Sequence, residues 1–472
     1  MMEKHPRLIS IGDMAATTGL TPDTLRYYER AGLMRDTVAR DANQRRLYDP
    51  TDVRWVSFLA KLRCSRMPIG MIKRYVQLAR QGDVTAHERL ALLQEHRRRL
   101  LESMSSQQHA LDAIDRKISL YQQMGESFML HSTRIGNSNI HVGIIGLGCM
   151  GMSAFYTGAG QDEDESIRTI RRAVELGATL IDTAELYGPY KNEELVGRAL
   201  QGIRDQAVIA TKFGTISHLD GDANRYDGRP ANIRLAVEGS LKRLNTDHID
   251  LYYQHRPDPD TPIEETVGAL AELIQEGKIL EYGLSEASAD TIRRANAVHP
   301  VAAVETEYSL WSRDVEDEVL PTLRDLGITL VPYSPLGRGF LTGHINDLSQ
   351  LDPNDTRRSN PRFAQGALDA NMAIVKQVKS IAATLNATPA QVALAWILSK
   401  GEEHHDIIPI PGTRHRNRLE ENLAAAAIHL TAEQVSSLDN LPRPTGNRYL
   451  DMTHMTGIDM AHANSESGHA SK

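Results

Sequence analysis

Apolar residues along this chain follow three different spacings, and each predicts a different kind of element. Near the N-terminus the pattern is short and punctuated. Ser10 to Gly19 reads as a capped helix stopped by glycine, and Leu20 follows as a staple. Thr21 and Pro22 then open a second helix that ends near Ala31 and Gly32. Between Thr85 and Tyr121 the spacing becomes one continuous stripe. Leu90, Leu93, Leu100, Met104, Leu111, Ile114, Ile118 and Tyr121 fall on alternating steps of three and four, interrupted by Arg97 and Gln107. With no Pro or Gly, the run predicts a helix of ~37 residues, roughly 55 Å long, carrying a coiled-coil stripe. Such a stripe needs a cover. The simplest is a second copy of the chain; packing on its own domain is the other reading.

From about Thr133, strand-like apolar runs alternate with amphipathic helices. The predicted strands are Ile144–Gly148, Thr179–Thr183, Ala207–Lys212, Ile249–Gln254, Leu280–Ser285, Val301–Glu307, Thr329–Ser334 and Ile407–Pro411. Helical runs such as Ser166–Glu175, Asn232–Arg243, Glu316–Leu326 and Asn417–Ala425 lie between and after them. Eight strands, each trailed by a helix, fit a (β/α)8 barrel better than an open sheet. Gly146-Leu147-Gly148-Cys149-Met150-Gly151 matches G-x-G-x-x-G, but a dinucleotide-binding turn requires a helix to begin at once. Residues 152–162 are small and polar instead, so that reading is set aside. The chain is therefore read as multidomain. It has a head over 1–82, a coiled-coil helix over 83–124, a linker over 125–132, a barrel over 133–443 and a tail over 444–472. The end of the tail, rich in Ser and Glu, is expected to be disordered.

Composition adds a division of charge. The 472 residues carry a net charge of -8. Residues 1–125 hold 21 Lys and Arg against 14 Asp and Glu, a net +7; the remainder holds 32 against 47, a net -15. A basic head on an acidic body predicts that the head meets a polyanion while the body does something else. No run of about 18 apolar residues predicts a membrane span, and the first residues lack an apolar signal-type segment. Cys64 and Cys149 lie far apart and make no metal cluster between them, which fits a reduced, cytoplasmic protein.

Two short helices joined by a glycine-containing turn make a helix-turn-helix, whose second helix enters the major groove of DNA. The segments TLRYYERAGL and NQRRLYDPTDV within residues 8–122 resemble the MerR-type transcription regulators. That resemblance implies an all-α winged helix-turn-helix followed by a long dimerisation helix. It assigns Arg26, Tyr27 and Arg46 to the DNA backbone and Thr24 to a groove, with Tyr28 and Arg45 in the same DNA-binding set. Where the family wing usually has Gly-Tyr-Arg, this chain has Gln44-Arg45-Arg46. The cysteines that MerR metal sensors place beyond the dimer helix are missing here.

Barrel chemistry gathers where strands end, at the C-terminal face. There the sequence offers Asp182, Tyr187, Lys212 and His255 on three successive strands. Together with GLGCMGMS, IDTAELYG, IATKFG, LYYQHRPDP, YGLSEAS, EYSLWSR, PYSPLGRGFLTG and IPIPGTRHRNRLEENLAA, they resemble the aldo-keto reductases over about 133–442. The resemblance implies metal-free, reversible reduction of aldehydes and ketones by NADPH. Tyr187 is the expected proton donor and Lys212 the cation favouring its phenolate. Asp182 orients Lys212, and His255 fixes the substrate oxygen. By the same resemblance Ser285, Glu286 and Glu305 lie at the nicotinamide amide and Tyr333 stacks on its ring. Ser334, Leu336 and Arg338 follow the pyrophosphate. Gly412, Thr413, Arg414 and Arg418 hold the 2′-phosphate, and Glu421 and Asn422 the adenine. Two arginines at a helix N-terminus favour NADP(H) over NAD(H). Glu305 replaces the usual Gln, and a carboxylate there accepts from the carboxamide but cannot donate to it.

The resulting expectation is a homodimeric DNA-binding regulator, paired through residues 85–121, whose sensor is a reductase acting on a small carbonyl substrate. Two other readings stay open. In one the protein is mainly an enzyme and the head serves dimerisation; in the other the barrel senses NADP(H) without turnover.

Overall fold

Capping chemistry sets the first elements of the computed structural model, which describes residues 8–102, 104, 111, 130–222, 225–345, 347–364, 366–401 and 406–450. The chain divides into two units, Met1–Tyr121 and Gln122–Lys472. In the first, Ser10 and Asp13 form a reciprocal capping box at the start of α1 (Ile11–Thr18), and Gly19 closes it in the left-handed conformation. Thr21 caps α2 (Pro22–Arg30). Helices α3 (Pro50–Cys64) and α4 (Ile69–Arg80) complete the bundle. Strands β1 (Ile9–Ser10), β2 (Ala39–Arg40) and β3 (Arg46–Tyr48) form a small antiparallel sheet in the order β1-β3-β2, the expected wing. Met14, Leu25, Tyr28, Tyr48, Val56, Leu59 and Ile72 make the core. Arg80, at the end of α4, donates to the carbonyls of Gly32, Met34 and Arg35 and so fixes the loop after α2.

Helix α5 follows over residues 86–102. Its Leu93 packs against the head core. Leu90, Leu101, Met104 and Leu111 are about half exposed. The seam positions Ile114, Ile118 and Tyr121, and most of the expected linker, lie outside the described residues.

The second unit opens with a hairpin, β4 (Ser132–Arg134) and β5 (His141–Gly143). Seven parallel strands then run in sequence order: β6 (Leu147–Gly148), β7 (Leu180–Asp182), β8 (Val208–Phe213), β9 (Ile249–Gln254), β10 (Ile279–Ser285), β11 (Ala303–Glu307) and β12 (Thr329–Tyr333). The predicted eighth strand appears as bridges rather than a ladder. Ile408 and Ile410 donate to Leu330 and Pro332, Gly146 donates to Pro409, and Gly148 pairs with Gly412, closing the ring. The first strand is shorter than expected because residues 144–146 spend their bonds elsewhere: Ile144 donates to His131, at the hairpin, and Gly146 to Pro409. Side chains alternate as a two-sided strand requires. On β9, Leu251 and Tyr253 join the barrel interior, while Tyr252 joins the layer under the helices.

Helices α6 (Glu163–Glu175), α7 (Lys191–Leu200), α8 (Pro230–Leu244), α9 (Ile263–Gln275), α10 (Ala289–Val298) and α11 (Val319–Leu326) alternate with the strands. After them come α12 (Ala367–Thr384), α13 (Pro389–Ser399), α14 (Arg416–Leu423) and α15 (Ala432–Asp439). The glycine motif after β6 leads into a short 3₁₀ turn, Met150–Met152, and the next α-helix waits until Glu163. The architecture is a nearly closed (β/α)8 barrel behind a helix-turn-helix. Among the described residues, no single helix is long and apolar enough to cross a membrane.

Candidate active site

Parallel strands bring their C-terminal ends to one rim, so residues far apart in sequence meet there. Asp182 ends β7, Lys212 is the penultimate residue of β8, and His255 directly follows β9. Lys212 is fully buried. Its Nζ donates to both Asp182 oxygens (2.7 and 2.6 Å), to the Thr183 carbonyl (3.0 Å) and to the Tyr187 hydroxyl (3.3 Å). A second carboxylate, Glu305 Oε1, lies 3.3 Å from the same nitrogen. The His255 ring meets the Tyr187 ring edge-on at 5.9 Å, and Phe155 does the same from another side at 6.4 Å. The four expected catalytic side chains do converge.

Burial decides the charge states. Removal from water pushes the Tyr187 phenol up; Lys212 pulls it the other way but does not win, so the group rests as a neutral acid. Burial and the nearby Arg256 and Lys212 charges drive His255 well down, leaving it neutral, and its Nδ1 has no hydrogen-bond partner among the described residues. Lys212 stays charged because its carboxylate neighbour Asp182, at two short contacts, offsets its desolvation. Burial and the Asp182 charge push Glu305 up to about 8, so it carries a proton at neutral pH. As a carboxylic acid, Glu305 can both donate and accept, as an amide does.

A cavity of about 730 Å³ runs from this group along the rim. Asp182, Tyr187, Glu305 and Tyr333 line it, with Ser334, Leu336 and Arg338. Gly412, Thr413, Arg414, Arg418, Glu421 and Asn422 complete the wall, which Gly412 joins beside Asp182 through its bridge to Gly148. Lys212, His255, Ser285 and Glu286 stand behind that lining, with Ser285 Oγ accepting from Arg256 at 3.1 Å. Glu286 and Ser334, each one residue beyond a strand, and Arg338, inside the 3₁₀ segment Gly337–Thr342, take the left-handed backbone conformation. Such strain in non-glycine residues gathers at sites where direction matters more than stability. Across the cavity, Asp355 accepts from Thr157 N and Oγ1, both at 2.7 Å, tying residues 155–158 to 352–357.

In the head, Arg26 and Arg45 are exposed, Tyr27 is 45% exposed and Thr24 is half-buried. Arg26 pairs with Asp23, and Arg46 pairs with Glu29. Tyr28 does not belong to the expected surface set. It lies three residues after Leu25, on the inner face of α2, and both are buried in the core. Gln44 holds φ +62°, the conformation a glycine adopts without cost, while Asp41 accepts from Asn43 and Arg45 to fix the turn.

The sequence profile of the Aldo/keto reductase family matches residues 145–443. This chain belongs to that family. The profile of the MerR HTH family of regulatory proteins matches residues 9–79 of the same aldo/keto reductase. A Glycine max protein named "Probable aldo-keto reductase 1" is 44% identical over 310 residues, covering 66% of this chain and 88% of that protein. Among solved structures, the glycerol dehydrogenase of Gluconobacter oxydans is similar at a TM-score of 0.60 and 30% identity, covering 68% of this chain and 99% of that one. An aldo/keto reductase from Klebsiella pneumoniae, solved in complex with NADP and acetate, gives 0.52 and 28%, covering 67% and 98%.

The residues of this aldo/keto reductase suit a nicotinamide dinucleotide cofactor. The partnerless Glu305 Oε2 and His255 Nδ1 are buried polar atoms at the catalytic end. Arg414 is pulled down, by burial first and then by its arginine neighbours Arg418 and Arg357, a crowding of cations that an anion relieves. Sequence reasoning missed Arg448 and Tyr449, which return from the tail to Glu286 and Tyr333. The signal was present but weak: Gly446-Asn447-Arg448-Tyr449-Leu450 mixes turn, aromatic and apolar residues, unlike the polar stretch beyond it.

Proposed function

We propose that this protein is a DNA-binding transcription regulator whose barrel is a working NADP(H)-dependent reductase of aldehydes and ketones. One observation carries the catalytic half: buried Lys212 reaches both Asp182 and the Tyr187 hydroxyl at a cavity that Arg414 and Arg418 also line. When bound in that cavity, NADPH supplies hydride to the carbonyl carbon. As negative charge gathers on the substrate oxygen, Tyr187 gives it the phenolic proton. Burial keeps that proton in place beforehand, and Lys212 favours the phenolate once it leaves. Asp182 keeps Lys212 charged and aimed. Neutral His255, with its ring edge against Tyr187, holds the substrate oxygen in line.

Tyr333 would take the nicotinamide ring, with Ser285, Glu286 and protonated Glu305 at its carboxamide. Ser334, Leu336 and Arg338 would follow the pyrophosphate. Gly412, Thr413, Arg414 and Arg418 would hold the 2′-phosphate, beside Glu421 and Asn422 at the adenine. In the head, Thr24, Arg26, Tyr27, Arg45 and Arg46 would face DNA, and α5 would pair with its copy. A reductase that uses the head only for dimerisation is the competing reading; it draws on the internal pairing of Arg26 and Arg46.

Tyr187→Phe tests the catalytic half. Loss of a positioned acid costs about 10²–10⁴-fold in rate, so NADPH oxidation across an aldehyde panel should fall by that much. NADPH affinity, read by quenching of protein fluorescence, should stay within about twofold of wild type. Retained turnover would refute the assignment.

A further inference from the structure

Arg448 lies outside the stretch that matches the family profile, yet its side chain is buried at the catalytic end of the barrel. Its Nη2 donates to Glu286 Oε1 at 2.7 Å and to the Tyr333 hydroxyl at 3.1 Å, and its Nε lies 3.3 Å from Glu307 Oε2. Glu286 and Glu307 are themselves nearly inaccessible to solvent. Two carboxylates buried this close to a dinucleotide phosphate site would repel it unless a cation neutralised them. Tyr449, the next residue, shares a hydrogen bond of 3.0 Å with the Tyr333 hydroxyl, and Arg338 stacks over its ring at 4.7 Å. The tail therefore fixes the side chain of Tyr333 at its hydroxyl and two walls of the cavity around it.

The path of the tail is built for this. Asn371 accepts from Thr445 N at 2.8 Å and donates to its carbonyl at 3.1 Å. Arg362 donates to the Gly446 carbonyl at 3.2 Å, and Asn360 to that of Arg448 at 2.8 Å. Gly446 adopts φ +96°, and a Cβ there would meet the Pro361 carbonyl at 2.8 Å. Only glycine lets the chain pass so close.

We infer that Arg448 and Tyr449 are positioning residues of the reductase site: by clamping Glu286, Glu307 and Tyr333 they set the surface that receives the nicotinamide half of the cofactor. The tail through Tyr449 is thus a working part of the barrel. This rests on the cofactor reading proposed above, and the test keeps the two apart.

The full-length protein is titrated with two probes by fluorescence quenching. NADPH spans the whole cavity; adenosine 2′,5′-bisphosphate reaches only the end with Arg414 and Arg418. Arg448→Gln should weaken NADPH at least tenfold and leave the bisphosphate within twofold. A purely structural role would move both probes together, and that result, or wild-type NADPH affinity, would overturn the inference. If Arg448→Gln does not fold, Tyr449→Phe decides, since it removes one hydroxyl and keeps the ring. It should weaken NADPH about threefold and spare the bisphosphate; wild-type affinity for both probes would overturn the proposal. Wild-type protein that binds neither probe would instead remove the cofactor reading itself.

Discussion

Lys212 faces two carboxylates, and a buried group of one cation and two anions cannot stay fully charged at neutral pH. Asp182, with two short contacts to Lys212, keeps the charge; Glu305, with one longer contact to Lys212 and a hydrogen bond to Asp182, keeps the proton. Raised by burial and by Asp182 to about 8 from an ordinary 4.5, Glu305 binds its proton more tightly in the folded protein than in the unfolded chain. The sign follows from linkage. Its contribution to stability is complete below about pH 4.5 and declines as pH rises through about 8. Glu305→Gln has nothing to release, so its melting temperature relative to wild type should rise between pH 5.5 and 8.5. At about 1–2 °C per kcal/mol for a unit of this size, thermal melts at the two pH values resolve the change. A difference that does not vary with pH would mean that Glu305 ionises as an ordinary carboxyl.

At the scale of elements, what the sequence made legible is what a period or a cap enforces. Ser10, Gly19, Thr21 and Pro22 placed α1 and α2 because each supplies a hydrogen bond or backbone angle that a helix end requires. Asp182, Tyr187 and Lys212 could be found because strand ends in a parallel barrel share a rim. Tyr28 was misplaced because composition drew attention to the RYYE run, whereas the three-residue step from Leu25 turns Tyr28 inward. Arg448 was invisible to both kinds of argument, since its partners Glu286 and Glu307 lie more than a hundred residues earlier and no periodicity links them. The apolar stripe beyond Thr85 carries its own prediction. Its members Leu90, Met104 and Leu111 are about half exposed, and a coiled-coil seam tolerates a charge poorly. Met104→Glu with Leu111→Glu should convert a dimer to a monomer in sedimentation, leaving reductase activity within about twofold. An unchanged mass would assign the stripe to something other than a second copy.

For the molecule as a whole, the question is whether the head and the barrel communicate or merely share a chain. Charge makes the first half of the answer measurable. A head of net +7 held to DNA by arginines releases counterions on binding, so its affinity must fall with salt. Only the salt-resistant, sequence-dependent remainder reports on operator recognition. Thermodynamics supplies the second half. If NADPH in the barrel changes operator affinity by some factor, operator DNA must change NADPH affinity by the same factor, because both routes close one cycle. Couplings of this kind are about 1–3 kcal/mol, or roughly 5–150-fold. Operator affinity, read by anisotropy of a labelled upstream fragment, should therefore shift at least fivefold between cofactor-free protein and protein saturated with NADPH. Fluorescence titration of NADPH with and without that fragment should return an equal ratio. Equal ratios identify a regulator that reads its own reductase site, whereas a ratio of one in both directions leaves two independent machines joined only by the polypeptide.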